Sequence, residues 1–330
     1  RPIQTCYGTD IGGTKIELPA GDAGGAVTHR QRVATPCHDY AAFLDTVAAL
    51  VTQADQTLGQ RGQAIGLALP GVRDADSGRQ LSANVPALTG RTVGADLQAR
   101  LQRPLALGND LQCFALSEAQ GGAAEGYPSM FGVILGTGAG GGYCKDGRLV
   151  AGNNGMAGEW GHWSLPATLQ LRHDLPLLDC GCGLRGCLER YVSGSGLALI
   201  HARQGGEALD AQQVVARAND GDSTAQRALA IHRDLLGYCF ASLILALDPH
   251  VIVLGGGLSK LEPLYRDLPA AIAPYLFAGV RVPPILPPVF GDAGGARGAA
   301  LLACQQYPAE WPAPARAALV PSPLELCPVW

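Results

Sequence analysis

Three short apolar stretches of this sequence each run directly into a cluster of glycines. The first lies within residues 7–16, the second within residues 131–143 and the third within residues 250–257. Apolar runs of this length are typical of buried strands, and glycine adopts the backbone angles that tight turns require. We therefore predict a β-hairpin at each of the first two stretches and a strand followed by a turn at the third. Two similar hairpins indicate two similar halves.

Strands and helices alternate along the rest of the chain. Apolar residues recur near a 3.6-residue period over residues 40–58, which predicts a helix that covers a sheet. Short buried strands are predicted at residues 64–69 and 105–107, where glycine, proline or polar residues follow each run. Further helices are predicted over residues 111–120, 188–203 and 224–247. This alternation is typical of an α/β fold.

The charge of the chain argues against two classes of partner. The 24 basic and 28 acidic residues give a formal net charge of -4, so we expect no nucleic acid partner. We find no uninterrupted apolar run of about 18 residues and no leader peptide, so we expect no membrane span and a cytoplasmic location.

Six prolines follow Tyr307, and they predict an irregular extension over residues 305–330.

The glycine turns are candidates for a phosphate-binding site, because free backbone N–H groups in such turns can converge on one anion. The alternative is that each turn only joins two strands, but three turns that each follow an apolar strand favour the functional interpretation. Asp10 in the first turn is the predicted partner of Mg²⁺, or else it caps the turn. The predicted nucleotide-binding residues are Gly8, Thr9, Asp10, Ile11, Gly12, Gly13, Thr14, Lys15, Gly136, Thr137, Gly138, Ala139, Gly140, Gly141, Gly142, Tyr143, Gly255, Gly256 and Gly257.

Asn109 and Asp110 lie where a predicted strand ends and a predicted helix begins. Ligand-binding residues of α/β folds are commonly found at this position. Asp110 is therefore a candidate general base, because a carboxylate can accept the proton of a sugar hydroxyl that attacks phosphorus. An acidic or amide side chain at this position is also an ordinary helix N-cap, and the local sequence supports both roles equally.

One histidine and three closely spaced cysteines form a candidate zinc site. His162 precedes Cys180, Cys182 and Cys187, and glycines separate the cysteines. A Cys₃His set is a common closed tetrahedral site for structural zinc, and three cysteines cannot all be explained by one disulfide. The remaining cysteines are scattered, and we interpret them as core or incidental residues: Cys6, Cys37, Cys113, Cys144, Cys239, Cys304 and Cys327.

Taken together, these motifs resemble the ROK family, which comprises repressors, open reading frames and sugar kinases. The family-like segments are residues 10–15, 109–110, 136–138, 159–162, 180–187 and 255–257. The resemblance implies two ribonuclease-H-like α/β lobes of the actin, Hsp70 and sugar-kinase type around a catalytic cleft, with a small zinc-bound loop. It also implies ATP at the glycine hairpins, Asp110 as the base, a cytoplasmic homodimer, and sugar contacts from Asn109, Glu159, His162 and Glu189.

Within the family, residues 83–86, 113–118 and 158–194 resemble the bacterial N-acetylglucosamine kinases. The expected reaction is transfer of phosphate from ATP to the 6-hydroxyl of N-acetyl-D-glucosamine, and Asn84 is the expected partner of the acetamido group. Glucokinase and N-acetylmannosamine kinase activities are the alternatives, together with a non-catalytic sugar sensor. A DNA-binding repressor is not expected, because only seven residues precede Gly8.

The sequence departs from the family pattern at four positions. Gly108 replaces an acidic residue, while Leu111 and Gln112 replace a small residue and an asparagine. Pro19 falls in the returning strand of the first hairpin, where it removes a hydrogen-bond donor and should shorten the hairpin. The predicted lobes comprise residues 1–118 with a returning segment at 292–304, and residues 119–291.

Overall fold

The computed structural model describes residues 5–21 and 27–308 of the chain. Its strands are β1 (Cys6–Ile11), β2 (Lys15–Gly21), β3 (Val27–Ala34), β4 (Ala64–Leu69), β5 (Val72–Arg73), β6 (Gln80–Leu81), β7 (Leu105–Asn109), β8 (Ser129–Leu135), β9 (Ala139–Lys145), β10 (Arg148–Leu149), β11 (Val251–Gly255) and β12 (Ile285–Leu286). Its helices are α1 (Tyr40–Leu58), α2 (Val93–Leu101), α3 (Asp110–Ala119), α4 (Ala167–Arg172), α5 (Glu189–Val192), α6 (Gly194–Arg203), α7 (Ala211–Asn219), α8 (Ser223–Leu247), α9 (Glu262–Ile272) and α10 (Gly294–Gln306).

The first sheet has the strand order β3-β2-β1-β4-β7. Strands β1, β2 and β3 are antiparallel, whereas β4 and β7 run parallel to β1. The two faces of β4 carry side chains of different size, and each face packs against a different helix. Its large residues, such as Ile65 and Leu67, pack in the core that contains α1, while the alternate positions Ala64, Gly66 and Ala68 face α10. These small residues allow α10 to approach the sheet closely.

The second sheet repeats this arrangement with the order β10-β9-β8-β11-β12. Strands β8, β9 and β10 are antiparallel, and β11 and β12 run parallel to β8. The prediction of two similar halves is therefore confirmed, and the α/β fold agrees with the two ribonuclease-H-like lobes that the resemblance implies. Helices α5 to α9 surround one core of the second half, which includes Phe131, Tyr191 and Phe240.

Helix α8 is long and apolar enough to cross a membrane by length and composition alone. However, 56% of its most apolar stretch of 18 residues is buried inside the protein. Leu235, Phe240 and Ile244 of this helix contribute to the core of the second half. Burial of this kind is typical of the central helix of a globular fold.

Two local predictions need correction. The helix predicted over residues 188–203 is broken at Ser193, whose extended backbone ends α5 and whose side chain caps α6 by accepting the N–H of Gly196. Strand β2 is not ended by Pro19, because it pairs with β3 along its whole length. The pairing of β1 with β2 nevertheless skips Leu18 and Pro19, as expected for a residue without an N–H donor.

The two cysteines at the ends of the first half are not incidental, which corrects our interpretation. Cys6 in β1 and Cys304 in α10 form a disulfide, although they are separated by 298 positions in sequence, and their Cα atoms lie 6.0 Å apart. No local spacing rule could pair residues so distant in the chain. Helix α10 also extends through Gln306 into the predicted proline-rich extension, and residues 309–330, including Cys327, lie outside the described residues.

Helices α3 and α10 cross between the two sheets. Helix α3 packs on β8 and β9, whereas α10 packs on β1 and β4. At their crossing point, a Cβ atom on Gly298 would lie 1.7 Å from the carbonyl oxygen of Cys113, so only glycine permits this approach. The crossing therefore joins the two halves of the molecule directly.

Candidate active site

The carboxyl ends of β1 and β7 place two acidic residues at the same edge of the first sheet. Both strands run parallel to β4, in which Ala68 pairs with Asp10 and Leu69 pairs with Asn109. Asp110 follows as the first residue of α3. Burial and the negative charges of nearby carboxylates, first Asp110 and then Glu17, raise the pKa of Asp10 to about 6, with Lys15 opposing the shift. The site therefore contains two mutually repelling carboxyl groups.

The structure separates the two roles that the sequence left open for Asp110. Asn109, and not Asp110, caps α3, because its side-chain oxygen accepts the N–H of Gln112 at 2.7 Å. Asp110 Oδ1 accepts the adjacent N–H of Leu111, at 3.1 Å, and among the described residues its hydrogen bonds come from its own helix start. The side chain of Asp110 is accessible from the cleft, yet the protein around it excludes enough water to raise its pKa. Its carboxylate is thus available to a ligand.

Side chains from the second half meet this pair across the cleft. Asn109 Nδ2 donates to Glu159 Oε1 at 3.3 Å, and Glu159 Oε2 lies 3.9 Å from His162 Nε2. Burial raises the pKa of Glu159, His162 opposes that shift, and nearby carboxylates add to it. The structure therefore brings together three residues that the family resemblance implies as sugar contacts, from segments 50 residues apart.

Glu189 lies at the second glycine turn. Its Oε2 atom accepts the N–H of Ala139 at 2.9 Å, and a Cβ atom on Gly138 would lie 2.6 Å from the same oxygen. Glycine at position 138 is what allows the carboxylate to approach the backbone. Glu189 is also close enough to Glu159 for their charges to interact. This places the last of the predicted sugar contacts in the same acidic cluster.

The predicted nucleotide-binding residues fall into two groups. Gly8, Thr9 and Ile11 are buried in β1, Ala139 to Gly142 are buried in β9, and Gly255 is buried at the end of β11. Their glycines serve packing, since a Cβ atom on Gly8 would lie 1.8 Å from a backbone oxygen of α10. The partly or fully accessible members are Asp10, Gly12, Gly13, Thr14, Lys15, Gly136, Thr137, Gly138, Tyr143, Gly256 and Gly257.

The second and third glycine turns lie against each other. Gly256 has a positive φ of 78°, and a Cβ atom there would lie 2.5 Å from the carbonyl oxygen of Leu135. The N-terminus of α6 joins the same surface, because Gly194 N–H donates to Gly136 O at 2.8 Å and Ser195 Oγ donates to Thr137 O at 3.0 Å. We did not predict this contribution of α6. The Ser-Gly-Ser-Gly run at residues 193–196 is the signal that could have indicated it.

The first glycine turn faces the cleft from the other half. The N–H of Gly12 donates to Lys15 O at 2.9 Å, and Thr35 Oγ1 donates to Gly12 O at 2.7 Å, so the turn is held on both sides. The backbone oxygen of Asn84 lies beside Gly13, 3.1 Å from where a Cβ atom would be. Asn84 itself is exposed. The predicted partner of the acetamido group therefore lies next to the first turn.

The predicted zinc ligands converge. Cys182 Sγ lies 3.6 Å from Cys187 Sγ, and Cys180 Sγ lies 3.8 Å from His162 Nδ1. All four ligand atoms lie within 4.8 Å of one another. Ligand atoms around a tetrahedral zinc ion, with bonds of about 2.0–2.3 Å, are separated by roughly 3.3–3.8 Å. The four side chains therefore fit zinc, and His162 presents its other ring nitrogen to Glu159.

A cavity of about 180 Å³ adjoins Asn109. It is lined by apolar side chains such as Leu107, Met156 and Leu302 and by polar ones such as Asn154. Three of the four family departures lie around this region: Gly108 and Gln112 line the cavity, and Leu111 packs against Gly140. Gln112 Nε2 donates to the carbonyl oxygens of Gly155 and Ala157 at 3.2 and 3.3 Å, so it holds the loop before Glu159.

Comparison with known proteins finds relatives that match most of this chain. The chain is 48% identical over 296 residues to the N-acetylgalactosamine kinase AgaK of Shewanella sp. (strain ANA-3), a match that covers 90% of this chain and 96% of that protein. It is 45% identical over 298 residues to the N-acetyl-D-glucosamine kinase of Vibrio atlanticus (strain LGP32), covering 90% and 98% of the two chains.

A solved structure shows the same fold. The chain is similar to a ROK family glucokinase from Streptomyces griseus in complex with glucose and AMPPNP, with a TM-score of 0.72 and 26% identity over 91% of this chain and 99% of that one. The family model itself matches residues 6–306, a range that contains every residue of the acidic cluster, the glycine turns and the Cys₃His set. The resemblance drawn from the motifs is thereby confirmed, and the chain belongs to the ROK family.

Proposed function

We propose that this chain transfers the γ-phosphate of ATP to the 6-hydroxyl of N-acetyl-D-glucosamine, giving N-acetyl-D-glucosamine 6-phosphate and ADP. The observation that carries the proposal is the freedom of Asp110, which opens onto the cleft while Asn109 performs the capping role. The kinase names of the relatives support the same reaction class. The homodimer implied by the family resemblance stays a prediction.

The proposed chemistry needs one proton acceptor. Asp110 would accept the proton of the 6-hydroxyl as its oxygen attacks the γ-phosphorus, and ADP would leave with the electron pair of the broken P–O bond. Asn109, Glu159, His162 and Glu189 would hold the other hydroxyl groups of the sugar. Because Asn109 and Glu159 are hydrogen-bonded across the cleft, both halves of the molecule would contact the sugar together.

The acidic character of the cleft explains why ATP would enter with a divalent cation. Asp10, Asp110, Glu159 and Glu189 would repel the phosphates of free ATP. A Mg²⁺ ion bound to the phosphates would neutralise this repulsion, and Asp10 is the carboxylate that we propose would hold it. The accessible glycine turns from the two halves would contact the phosphates, and the N-terminus of α6 adds positive partial charge beside Thr137.

Zinc would have a structural part in this site. When bound, it ties the cysteine loop to His162 and fixes the orientation of the imidazole. His162 would then hold Glu159 through its other ring nitrogen. The bound metal would thus fix the orientation of His162, and through it the position of Glu159, on the side of these residues that faces away from the sugar.

Two observations favour a 2-acetamido sugar over glucose. Both relatives described above are named for 2-acetamido sugars, N-acetylgalactosamine and N-acetyl-D-glucosamine. The cavity beside Asn109 combines apolar and polar walls, which suits the methyl group and the amide of an acetamido substituent. Asn84 is the other candidate partner of that group. Glucose and N-acetylmannosamine remain the alternative substrates.

We expect kcat/KM to be highest for N-acetyl-D-glucosamine when it is compared with N-acetylgalactosamine, N-acetylmannosamine and glucose under saturating MgATP. A site that hydrogen-bonds the acetamido group should discriminate against glucose by more than the roughly 10–200-fold that space filling alone provides. A coupled assay of ADP formation measures all four sugars on one enzyme preparation. A glucose value equal to or above that of N-acetyl-D-glucosamine would overturn the proposed substrate.

We expect Asp10→Asn to raise the stability of the protein and to lower its activity. The effect on stability follows from the raised pKa of Asp10, and the effect on activity follows from its proposed role in holding Mg²⁺. A carboxyl group whose pKa is raised from 3.8 to about 6 on folding opposes folding once it is ionised, so stability is lost as pH rises through this range. Asp10→Asn removes that cost, which is at most about 3 kcal/mol at pH 7. We expect a higher Tm than that of the unsubstituted chain at pH 7, together with a lower turnover and a higher Mg²⁺ concentration for half-maximal activity.

Thermal unfolding between pH 4 and pH 8 checks the first part of this prediction. The Tm difference between the two proteins should be largest near pH 7 and shrink steadily toward pH 4, because folded Asp10 becomes protonated below its pKa of about 6 and the unfolded carboxyl group begins to take up a proton only near its ordinary pKa of 3.8. A lower Tm for Asp10→Asn across the whole range would show that the carboxylate has a stabilising partner and would contradict our account of its pKa.

A further inference from the structure

Glu118 is a fully buried carboxylate with no place in the proposed reaction. It lies near the end of α3 and has 0% of its surface exposed. Its Oε1 atom accepts the N–H groups of Phe290 and Gly291 at 2.8 and 3.3 Å, and its Oε2 atom accepts those of Val289 and Ala123, both at 3.0 Å. Three of these four donors belong to the segment that enters α10.

The donors that face Glu118 require a carboxylate. All four partners are N–H groups, and an ionised carboxylate can accept at both of its oxygens. A glutamine side chain has the same shape but would turn an NH₂ group toward two of these donors. Buried donors that lose their acceptor cost considerable free energy. Buried Arg297, whose Nη1 donates to Ser117 O at 2.6 Å, supplies positive charge close to Glu118.

Residues 289–295, which we call the junction segment, follow β12 and run into the first turn of α10. A Cβ atom on Gly295 would lie 2.8 Å from Asp10 Oδ2, so the first turn of α10 is in direct contact with this carboxylate. Asp292 Oδ2 lies 3.9 Å from Lys260 Nζ, which follows the third glycine turn. The junction segment therefore contacts α3, Asp10 and Lys260.

We propose that Glu118 is a positioning residue that holds the junction segment, so that α10 begins beside Asp10 and the cation site keeps its geometry. The chain passes from the first half to the second through α3 and returns through the junction segment, which leads into α10. A carboxylate that fixes one end of this crossing sets where Asp10 lies relative to the glycine turns of the other half. The part of the proposal that concerns the cation rests on the proposed function.

Glu118→Gln tests the proposal, with Glu125→Gln as the matched control. Glu125 accepts a backbone N–H in the same turn but is exposed and contacts no residue of the junction segment among the described hydrogen bonds. In Glu118→Gln we expect the backbone amides of residues 289–291 to exchange with deuterium about tenfold faster or more. We also expect the Kd for Mg²⁺-AMPPNP to rise by about 10–100-fold while the Kd for the sugar changes little. The control should show neither effect.

The outcomes separate the proposal from the proposed function. Unchanged amide exchange in Glu118→Gln would overturn the holding role, and faster exchange with unchanged nucleotide affinity would overturn the link to the cation. Failure of the unsubstituted chain to bind any nucleotide would refute the proposed function, whereas amide exchange would still decide whether Glu118 holds the segment. Glu118→Asp, which keeps both oxygens, should give smaller effects of the same sign and serves if Glu118→Gln does not fold.

Discussion

Replacement of Asp110 by asparagine should lower kcat by about 10²–10⁴-fold, the usual contribution of a general base. The amide keeps the size of the side chain but cannot accept the proton of the attacking hydroxyl. Sugar affinity should change little, because the other contacts to the sugar come from different residues. Steady-state kinetics under saturating MgATP measures the loss, and calorimetric titration of the sugar measures the binding.

Asp39→Asn is the matched control for this experiment. Asp39 caps α1 by accepting the N–H of Ala42 at 2.9 Å, and asparagine caps helices about as well as aspartate. The control should therefore keep full activity and stability. If Asp110→Asn behaves like Asp39→Asn and retains full turnover, then Asp110 is not the general base and the proposed mechanism is wrong.

Removal of one zinc ligand should produce the second large effect. Cys182→Ala leaves three ligands, so we expect the zinc content to fall below half an equivalent and kcat/KM for the sugar to fall by about 10–100-fold. The physical reason is that His162 loses its fixed orientation and no longer holds Glu159. Metal analysis of protein purified without chelators measures the zinc content, and steady-state kinetics with the sugar measures kcat/KM.

Cys239→Ala provides the comparison for loss of a thiol outside the cluster. Cys239 is buried in α8, away from the four ligands, so its replacement should lower the Tm without changing the zinc content. Full activity of Cys182→Ala, or less than half an equivalent of zinc in the unsubstituted protein, would refute the structural role of zinc.

Elements with clear ends were predicted well from the sequence. Helix α1 spans Tyr40–Leu58 as predicted, because the apolar period is regular, Asp39 caps its start and Gly59 adopts a left-handed conformation at its end. Strand β4 spans Ala64–Leu69 as predicted, because a buried apolar run meets Pro70 and Gly71. In both cases, neighbouring residues determine where the element stops.

Features that depend on distant residues were not predicted. The local sequence could not show whether Asn109 or Asp110 caps α3. The structure shows that Asn109 is the cap, with its oxygen accepting the N–H of Gln112 and its nitrogen donating to Glu159 from the other half. Cys6 and Cys304 meet only because α10 returns to the first sheet. In the sequence, Glu118 is an ordinary helical residue, because its partner Phe290 lies 172 positions away in the chain. Local patterns carry no information about such contacts.

Identification of the reaction product tests the central claim most directly. The chain should be incubated with N-acetyl-D-glucosamine and MgATP, and the sugar product analysed by correlating its phosphorus signal with its proton signals. We predict one phosphate ester per ADP released, with the phosphorus coupled to the two protons on carbon 6. Absence of a sugar phosphate, or a phosphorus coupled to the anomeric proton instead, would contradict the proposed reaction.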